Sequence, residues 1–521
     1  MIGGGSAGCA AAARLSENRA YAVCLIEVGG NNNNFFVKTP GMFPFIPEKS
    51  NYRYETVPQS GLNGRTGYQP RGRGLGGSSA INAMLYVRGN TWDYDNWAAL
   101  GCEGWAYDDV LPYFKRSENN AGFDDEYHGN DGPLHVSDQH FASPASAKFI
   151  EAAAKLQLPV TNDFNGARHE GFGMFQVTQK DGERWSAARA YIEPVQSRSN
   201  LTVLTGALTE KIIVQDGRAV GVRIRQNGSS RDLTARGAVI LSAGAFNSPQ
   251  ILQLSGIGDA QHLADMGIDA VHHSDQVGRN LQDHIDYVCR YSASSRDFIG
   301  DSLGGVWDLA KALVQHRLSG TGRMTTPYAE SGGFWKSNSD VPAPDVQFHF
   351  VPAPLEDHGR VKVKGHGFSC HACVLRPESR GTVSLASPDA ADAPVIDPNF
   401  LEAPGDVDVL RAGVRQMHRI LETPPLSDYA GVDQNDTPLD DDLAMEQMIR
   451  NRADSVYHPV GTCRMGSDAG AVVNPELRLN GIDGLYVADA SIMPRIVSGN
   501  TNAPSIMIGE RCADFVAAHL Q

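Results

Sequence analysis

Cysteine is scarce in this chain of 521 residues, and its eight copies, Cys9, Cys24, Cys102, Cys289, Cys370, Cys373, Cys463 and Cys512, are scattered rather than spaced as a disulfide framework. Such usage fits a reducing compartment. No apolar run reaches the roughly 18 residues of a membrane span, and no n-region and h-region of a signal peptide is visible, so the expected location is cytoplasmic. Positive charge is in deficit: 45 Lys and Arg face 60 Asp and Glu, a net charge of -15 that argues against nucleic acid as a partner. No repeat of fixed period is present, and the nearest thing to low complexity, Asn31 to Asn34, reads as a loop. The one C-x-x-C, Cys370 to Cys373, has no second C-x-x-C and lies in an alternating run that reads as a strand, so no metal is expected.

Glycine, by contrast, is abundant, and it opens the chain. Gly3, Gly5 and Gly8 fit G-x-G-x-x-G, followed by the small residues Ala10, Ala11 and Ala12 that suit a helix packed close against a sheet. In such a turn Gly3 permits the tight bend and Gly5 lets the backbone approach a pyrophosphate. Gly8 lets helix and strand touch while the helix N-terminus faces the anion. An apolar run, Ala22 to Ile26, then ends at Glu27, 19 residues beyond Gly8. A carboxylate there accepts hydrogen bonds from the two hydroxyls of an adenosine ribose and repels a 2′-phosphate. Only Met1 and Ile2 stand where a strand of about five residues normally delivers the chain into the turn.

The length exceeds the size at which single cores stop growing, so two or more domains are expected. Two further strand-to-helix landmarks lie downstream, Arg236 to Gly258 and Gly484 to Pro494, the second a strand running to Asp489. One sheet assembled from separated segments accounts for them, with the intervening, strand-rich stretches forming a second domain. Asn200 to Arg225 reads as two alternating strands joined at Asp216-Gly217, with backbone near Thr209 placed along an adenine.

Two stretches are long enough to be specific, Gly72 to Gly89 (GRGLGGSSAINAMLYVRG) and Gly244 to Gly258 (GAFNSPQILQLSGIG). They resemble, in order, the two signature patterns of the glucose-methanol-choline (GMC) flavoprotein oxidoreductases. Val277 to His284 (VGRNLQDH), His458 to Gly466 (HPVGTCRMG) and Val487 to Asp514 extend the resemblance over essentially the whole chain. It is nearest to the bacterial alcohol and choline dehydrogenase branch.

The resemblance implies an α/β fold, α+β overall. A Rossmann-like FAD-binding domain would comprise residues 1–160, 197–286 and 452–521, and a substrate-binding domain with an antiparallel sheet and helices would comprise 161–196 and 287–451. The turn, with Ser6 and Ala7, would hold the ADP half of FAD. Gly77, Ser78, Asn82 and Ala83 would lie along the flavin and its ribityl chain, and Asp489 with Ala490 would lie near the pyrophosphate and ribityl chain. Thr501 with Asn502 would approach the pyrimidine end. Ile81 stands where some relatives carry a flavin-linked histidine, so FAD is expected to be non-covalent.

Oxidising an alcohol requires a base on the hydroxyl and the flavin opposite the carbon, and histidine suits the first task. Among sixteen histidines, His458 stands where the family's base sits, and its partner position is Asn500. An Asn can hold the substrate oxygen without titrating, which leaves His458 as the base. The expected activity is oxidation of a small alcohol, primary by preference, with a quinone-type acceptor and therefore transient contact with the inner membrane surface. An alcohol oxidase releasing peroxide is the alternative. Cys373 to Pro377 (CVLRP) is faintly similar to the substrate strand of the family's light-driven fatty-acid decarboxylases, but the intact HPVGT with Asn500 is the alcohol-oxidising arrangement. A merely flavin-binding, non-enzymatic protein should show a broken histidine or glycine loop, and neither is broken. Trp335, Phe348 and Phe350 are expected in the core rather than in a pocket.

Overall fold

Two residues do the work of a whole strand at the centre of the first sheet. In the computed structural model, which describes residues 1–301, 303–361 and 363–520, Ile2 makes parallel bridges to both Ile26 and Leu241. Its N–H donates to Ile240 O at 2.8 Å, and the N–H of Gly3 donates to Ile26 O at 2.8 Å. On one side Val23–Ile26 pairs in parallel with Leu201–Leu204; on the other, Val239–Leu241 pairs in parallel with Leu485–Val487. Parallel sheets are covered on both faces. Accordingly Leu25, Ile26 and every residue of Val239–Leu241 and Leu485–Val487 are buried. The helix Ser6–Leu15 follows the glycine turn, and its Ala10, Ala12 and Ala13 pack in the same core.

Asn200 to Arg225 departs from the two-strand expectation. Leu201–Leu204 joins the parallel sheet, and the hairpin is made by Ala207–Gln215 and Arg218–Gln226 alone, with Ser229–Thr234 as a third strand. Alternation does not mark the break; it falls at Gly206, whose φ of 67° only glycine adopts freely. The hairpin turn is at Asp216-Gly217, both at positive φ, as a primed turn requires.

The second sheet is antiparallel with eight strands. Its main path runs Val432–Asp433, Ile285–Ser292, Gly365–Val374, Val346–Val351, Ser331–Trp335, Gly171–Met174. Period-two alternation divides its residues between two faces. Val346, Phe348 and Phe350, with Phe368, Cys370, Ala372 and Val374, point to a core closed by Val407, Leu410, Val414 and Met417 of the helix Pro404–Leu421. Trp335 packs against the same core. These aromatic residues are therefore packing residues. Gln347, His349 and His371 take the opposite face. Cys370 and Cys373, three apart on one strand, point to opposite faces and are free thiols. Ile285–Ser292 crosses the boundary expected after 286, and Asp454–Ser455 pairs with it.

Candidate active site

A cavity of about 1440 Å³ runs between the two sheets. That is larger than the roughly 300–1,000 Å³ of an ordinary small-molecule pocket and suits a dinucleotide with a small substrate beside it. Gly3, Gly5, Ser6, Ala7, Glu27, Gly77, Ser78, Asn82, Ala83, Thr209, Asp489, Ala490, Thr501 and Asn502 all line it, as do Ile81, His458 and Asn500. Gly8 does not. A Cβ on Gly8 would lie 2.0 Å from Gly3 O, so its role is the close passage of helix against turn.

The residues of the near end fit FAD. A Cβ on Gly5 would meet only Ser242 O at 3.9 Å, which leaves this backbone open to a ligand. Ser6 Oγ donates to Asn502 Oδ1 at 2.7 Å, tying together the starts of the helices Ser6–Leu15 and Asn502–Leu520. Both helix N-termini therefore present their positive ends to one part of the cavity. The helices can cross so closely because position 509 is Gly; a Cβ there would sit 2.2 Å from Ala7 O. Glu27 is buried, and its carboxylate accepts from the N–H groups of Gly4, Gly29 and Gly74, each at 2.9 Å. With one lone pair per oxygen used or more, it is held rigidly where the cavity begins. Asp489 accepts from Gly244 N–H at 2.9 Å and Ser248 Oγ at 2.6 Å. Asn82 Oδ1 accepts from the buried Arg184 at 2.9 Å and from Met84 N–H at 3.0 Å, which turns the amide nitrogen away from both.

At the far end a chain of hydrogen bonds fixes the protonation of His458. His284 Nε2 lies 3.0 Å from the carbonyl oxygen of Leu375, an acceptor only, so this nitrogen carries a proton. Burial lowers the His284 pKa to about 3, so the ring is neutral and its Nδ1 is bare. His458 Nδ1 lies 3.0 Å from that bare nitrogen and must donate to it. His458 is itself held well below the usual imidazole range, by burial first and then by His284, His349 and Arg71. One proton on a neutral ring, placed on Nδ1, leaves Nε2 as a free lone pair. Asn500 Nδ2 donates to it at 3.2 Å, and Gln347 Nε2 donates to Asn500 Oδ1 at 3.3 Å, which sets the amide's orientation. The backbone N–H of His458 donates to Asp283 Oδ1 at 2.7 Å. A base with its lone pair aimed at an amide donor can take the proton of a hydroxyl inserted between them.

Sequence reasoning missed His284, which ends the motif VGRNLQDH without a role, and missed Asp283 beside it. It also missed Gln347, His349 and His371. Their signal is the polar side of two strands whose other side is aromatic and apolar, and that can be read only once the strands' inner face is known. Among the described residues two clusters of metal-ligand type lie elsewhere, Cys289 with His418 and Asp433, and Asp125 with His128 and Asp163. Neither includes Cys370 or Cys373.

A parallel sheet with a glycine turn at the end of its central strand, opening into a chamber that ends at a neutral histidine, is the build of a flavin-dependent oxidoreductase. Two family models described as GMC oxidoreductase match residues 1–286 and 377–509, and the chain belongs to that family, whose cofactor is FAD. It is 42% identical over 524 residues to an alcohol dehydrogenase [acceptor] of Pseudomonas putida, covering 99% of this chain and 95% of the relative. It is 41% identical over 521 residues to an oxygen-dependent choline dehydrogenase of Rhizobium johnstonii, covering 99% and 94%. Among solved structures, pyridoxine 4-oxidase from Mesorbium loti superposes with a TM-score of 0.89 at 29% identity, over 98% of this chain and 97% of the other. Formate oxidase of Aspergillus oryzae RIB40 superposes with a TM-score of 0.92 at 25% identity, over 99% and 97%.

Proposed function

We propose that this chain oxidises a primary alcohol to the aldehyde, with FAD held without a covalent link and a quinone-type compound as final electron acceptor. The observation that supports it most directly is the bare Nε2 of His458, 3.2 Å from the Asn500 amide. In this reading Gly3, Gly5, Ser6 and Ala7 would hold the pyrophosphate and Glu27 the adenosine ribose, with Thr209 beside the adenine. Gly77, Ser78, Asn82 and Ala83 would lie along the flavin, Asp489 and Ala490 near the ribityl chain, and Thr501 with Asn502 at the pyrimidine end. The parallel-sheet half binds the cofactor, and the eight-stranded half shapes the substrate chamber. When bound, FAD supplies the acceptor for the carbon-bound hydrogen and its electron pair. The alcohol oxygen accepts from Asn500 Nδ2 and donates its proton to His458 Nε2. His284 accepts from Nδ1 throughout, so the imidazolium that forms keeps its position, and Asn500 holds the oxygen as negative charge develops on it. The alcohol thus loses one hydride equivalent and one proton, and a quinone restores the balance by taking two electrons and two protons. Ile81 lines the cavity and offers no nucleophile for a flavin link.

Among the described residues no helix is long and apolar enough to cross a membrane. The helix Leu303–Ser319 nevertheless exposes Trp307 at 63%, Val314 at 60% and Leu318 at 82%, spaced to share a face with Lys311. Such a face supports transient contact with a membrane that carries quinone. Oxygen is the second reading, supported by Arg71 and a newly protonated His458, two cations that would favour charge transfer to oxygen.

His458→Ala should retain FAD and reduce it anaerobically about 10²- to 10⁴-fold more slowly with an alcohol. Asn500→Ala should cost less, since it removes one hydrogen bond. Reduction of His458→Ala at near wild-type speed would sink the reading. For the acceptor, turnover in air with and without a quinone analogue decides: stoichiometric peroxide at full rate without the analogue leaves the oxidase.

A further inference from the structure

Of two relatives of this chain, one is named for alcohols as a class and the other for choline, a trimethylammonium alcohol with a fixed positive charge. A quaternary ammonium is recognised by aromatic faces, usually with a carboxylate close by. At the His458 end of the cavity Tyr68 offers an aromatic face, with the ring of Tyr457 edge-on beside it at 6.1 Å. That face is already taken. The guanidinium carbon of Arg360 lies 4.3 Å from the centre of the Tyr68 ring, and Arg360 itself lines the cavity.

The carboxylates around His458 lie behind the wall, each turned onto a donor. Asp283 accepts from Ser455 Oγ at 2.5 Å, Gln69 Nε2 at 3.1 Å and the His458 N–H. Asp286 is bonded to His371 Nδ1, and Asp454 accepts from Ser455 N–H at 2.8 Å and from Arg360 at 3.3 Å. None of the three lines the cavity. Arg71 does, close enough to His458 to lower its pKa. Of the lining acids in this part of the chain, Glu48 is paired with Arg53, and Glu55 is an exposed residue opposite Tyr68 in the strand register. The rest of the lining here includes His349, His371, Tyr328 and Tyr457 beside the apolar Ala329, Val351 and Leu355.

Building on the alcohol-oxidising reading above, we infer that the substrate of this site is an uncharged alcohol, and that Arg360 is the specificity-determining residue that keeps quaternary ammonium alcohols out. The cation is already present on the Tyr68 ring, held there by ion pairs to Asp357 and Asp454, so an incoming ammonium would find that face occupied and both of these carboxylates engaged.

The test compares choline with 3,3-dimethylbutan-1-ol, in which a tert-butyl group replaces trimethylammonium at nearly equal shape, by anaerobic flavin reduction of the FAD-loaded enzyme. The expected kcat/KM for the neutral alcohol is about tenfold or more above that for choline, the scale of a like-charge contact. Arg360→Glu should raise the choline-to-neutral ratio by about tenfold or more, and Arg360→Gln by less; the second variant carries the test if the first does not fold. Preference of the wild type for choline, or a ratio unmoved in both variants, overturns the inference while leaving alcohol oxidation intact. If neither of these nor hexan-1-ol bleaches the flavin, the alcohol reading falls and takes the inference with it.

Discussion

Replacing His284 by Phe removes the acceptor that holds the proton of His458 on Nδ1, without touching substrate or flavin positions. In the wild type that proton is engaged at 3.0 Å, and His284 is anchored in turn on Leu375 O at 3.0 Å. Phe leaves the buried Nδ1–H facing a hydrocarbon ring. An unsatisfied buried donor costs about 1–3 kcal/mol. The proton escapes that cost by moving to Nε2, where it occupies the lone pair needed for catalysis. The competent tautomer is then depleted by about 5- to 150-fold, and the rate of anaerobic flavin reduction should fall by the same factor. The pH profile separates this from a change in basicity. A base works unprotonated, so activity is lost as pH falls through its pKa, and for His458 that acid limb lies well below 6.5. Burial, the largest cause of the low value, survives the substitution. The loss should therefore persist at every pH above the limb, because a tautomer ratio does not titrate. His284→Gln can accept from His458 Nδ1 through its oxygen and donate to Leu375 through its nitrogen, and should recover most of the rate. A wild-type rate in the Phe variant, or a deficit that vanishes at alkaline pH, would refute the tautomer argument.

Gly8→Ala places a Cβ 2.0 Å from Gly3 O, a backbone atom that cannot step aside; the expected cost is about 1–3 kcal/mol of stability with weakened FAD retention, read by thermal melts with and without added FAD. Buried histidines with depressed pKa values are His284 and His349 at about 3, His169 at about 4, His458 well below its ordinary value and His418 below it. All are neutral in the folded state and bind protons on unfolding, so their stabilisation is complete above about pH 6.5 and is lost progressively as pH falls from there toward 3; a denaturation midpoint that is flat between pH 7 and 5 would contradict this. Acid precipitation of the yellow protein should leave the flavin in the supernatant, and colour in the pellet would show a covalent link.

What could be read from the sequence is what depends on local spacing. Gly3, Gly5, Gly8 and Glu27 form a pattern because one turn and one strand place them, and His458 and Asn500 each sit in a short run with its own signature. The far-end relay is different. His284, His458, Asn500 and Gln347 come from four separated segments, and nothing in any one segment names the others. Gln347 and His349 alternate with Phe348 and Phe350, a pattern that shows the strand has two faces but not that the polar one meets the site. Leu201–Leu204 was hidden for a related reason: alternation reports burial on one side but not which strand is the neighbour.

The order of strands in the first sheet also bears on how the protein is made. Its neighbours come from residue 2, from 23–26, 201–204 and 239–241, and from 485–487. The principal strands of the eight-stranded sheet all lie before residue 456. Pairing across such separations is slow, since a long loop must close before any contact rewards it. During synthesis the antiparallel sheet can therefore pair while the parallel one still lacks its last strand. That strand is followed by Asp489, Asn500 and the helix from Asn502, the other wall of the cofactor site. The strands on the substrate side can thus pair before His458, Asp489, Asn500 and Asn502 have been made, so both the base and the last wall of the cofactor site are added to a sheet that already stands.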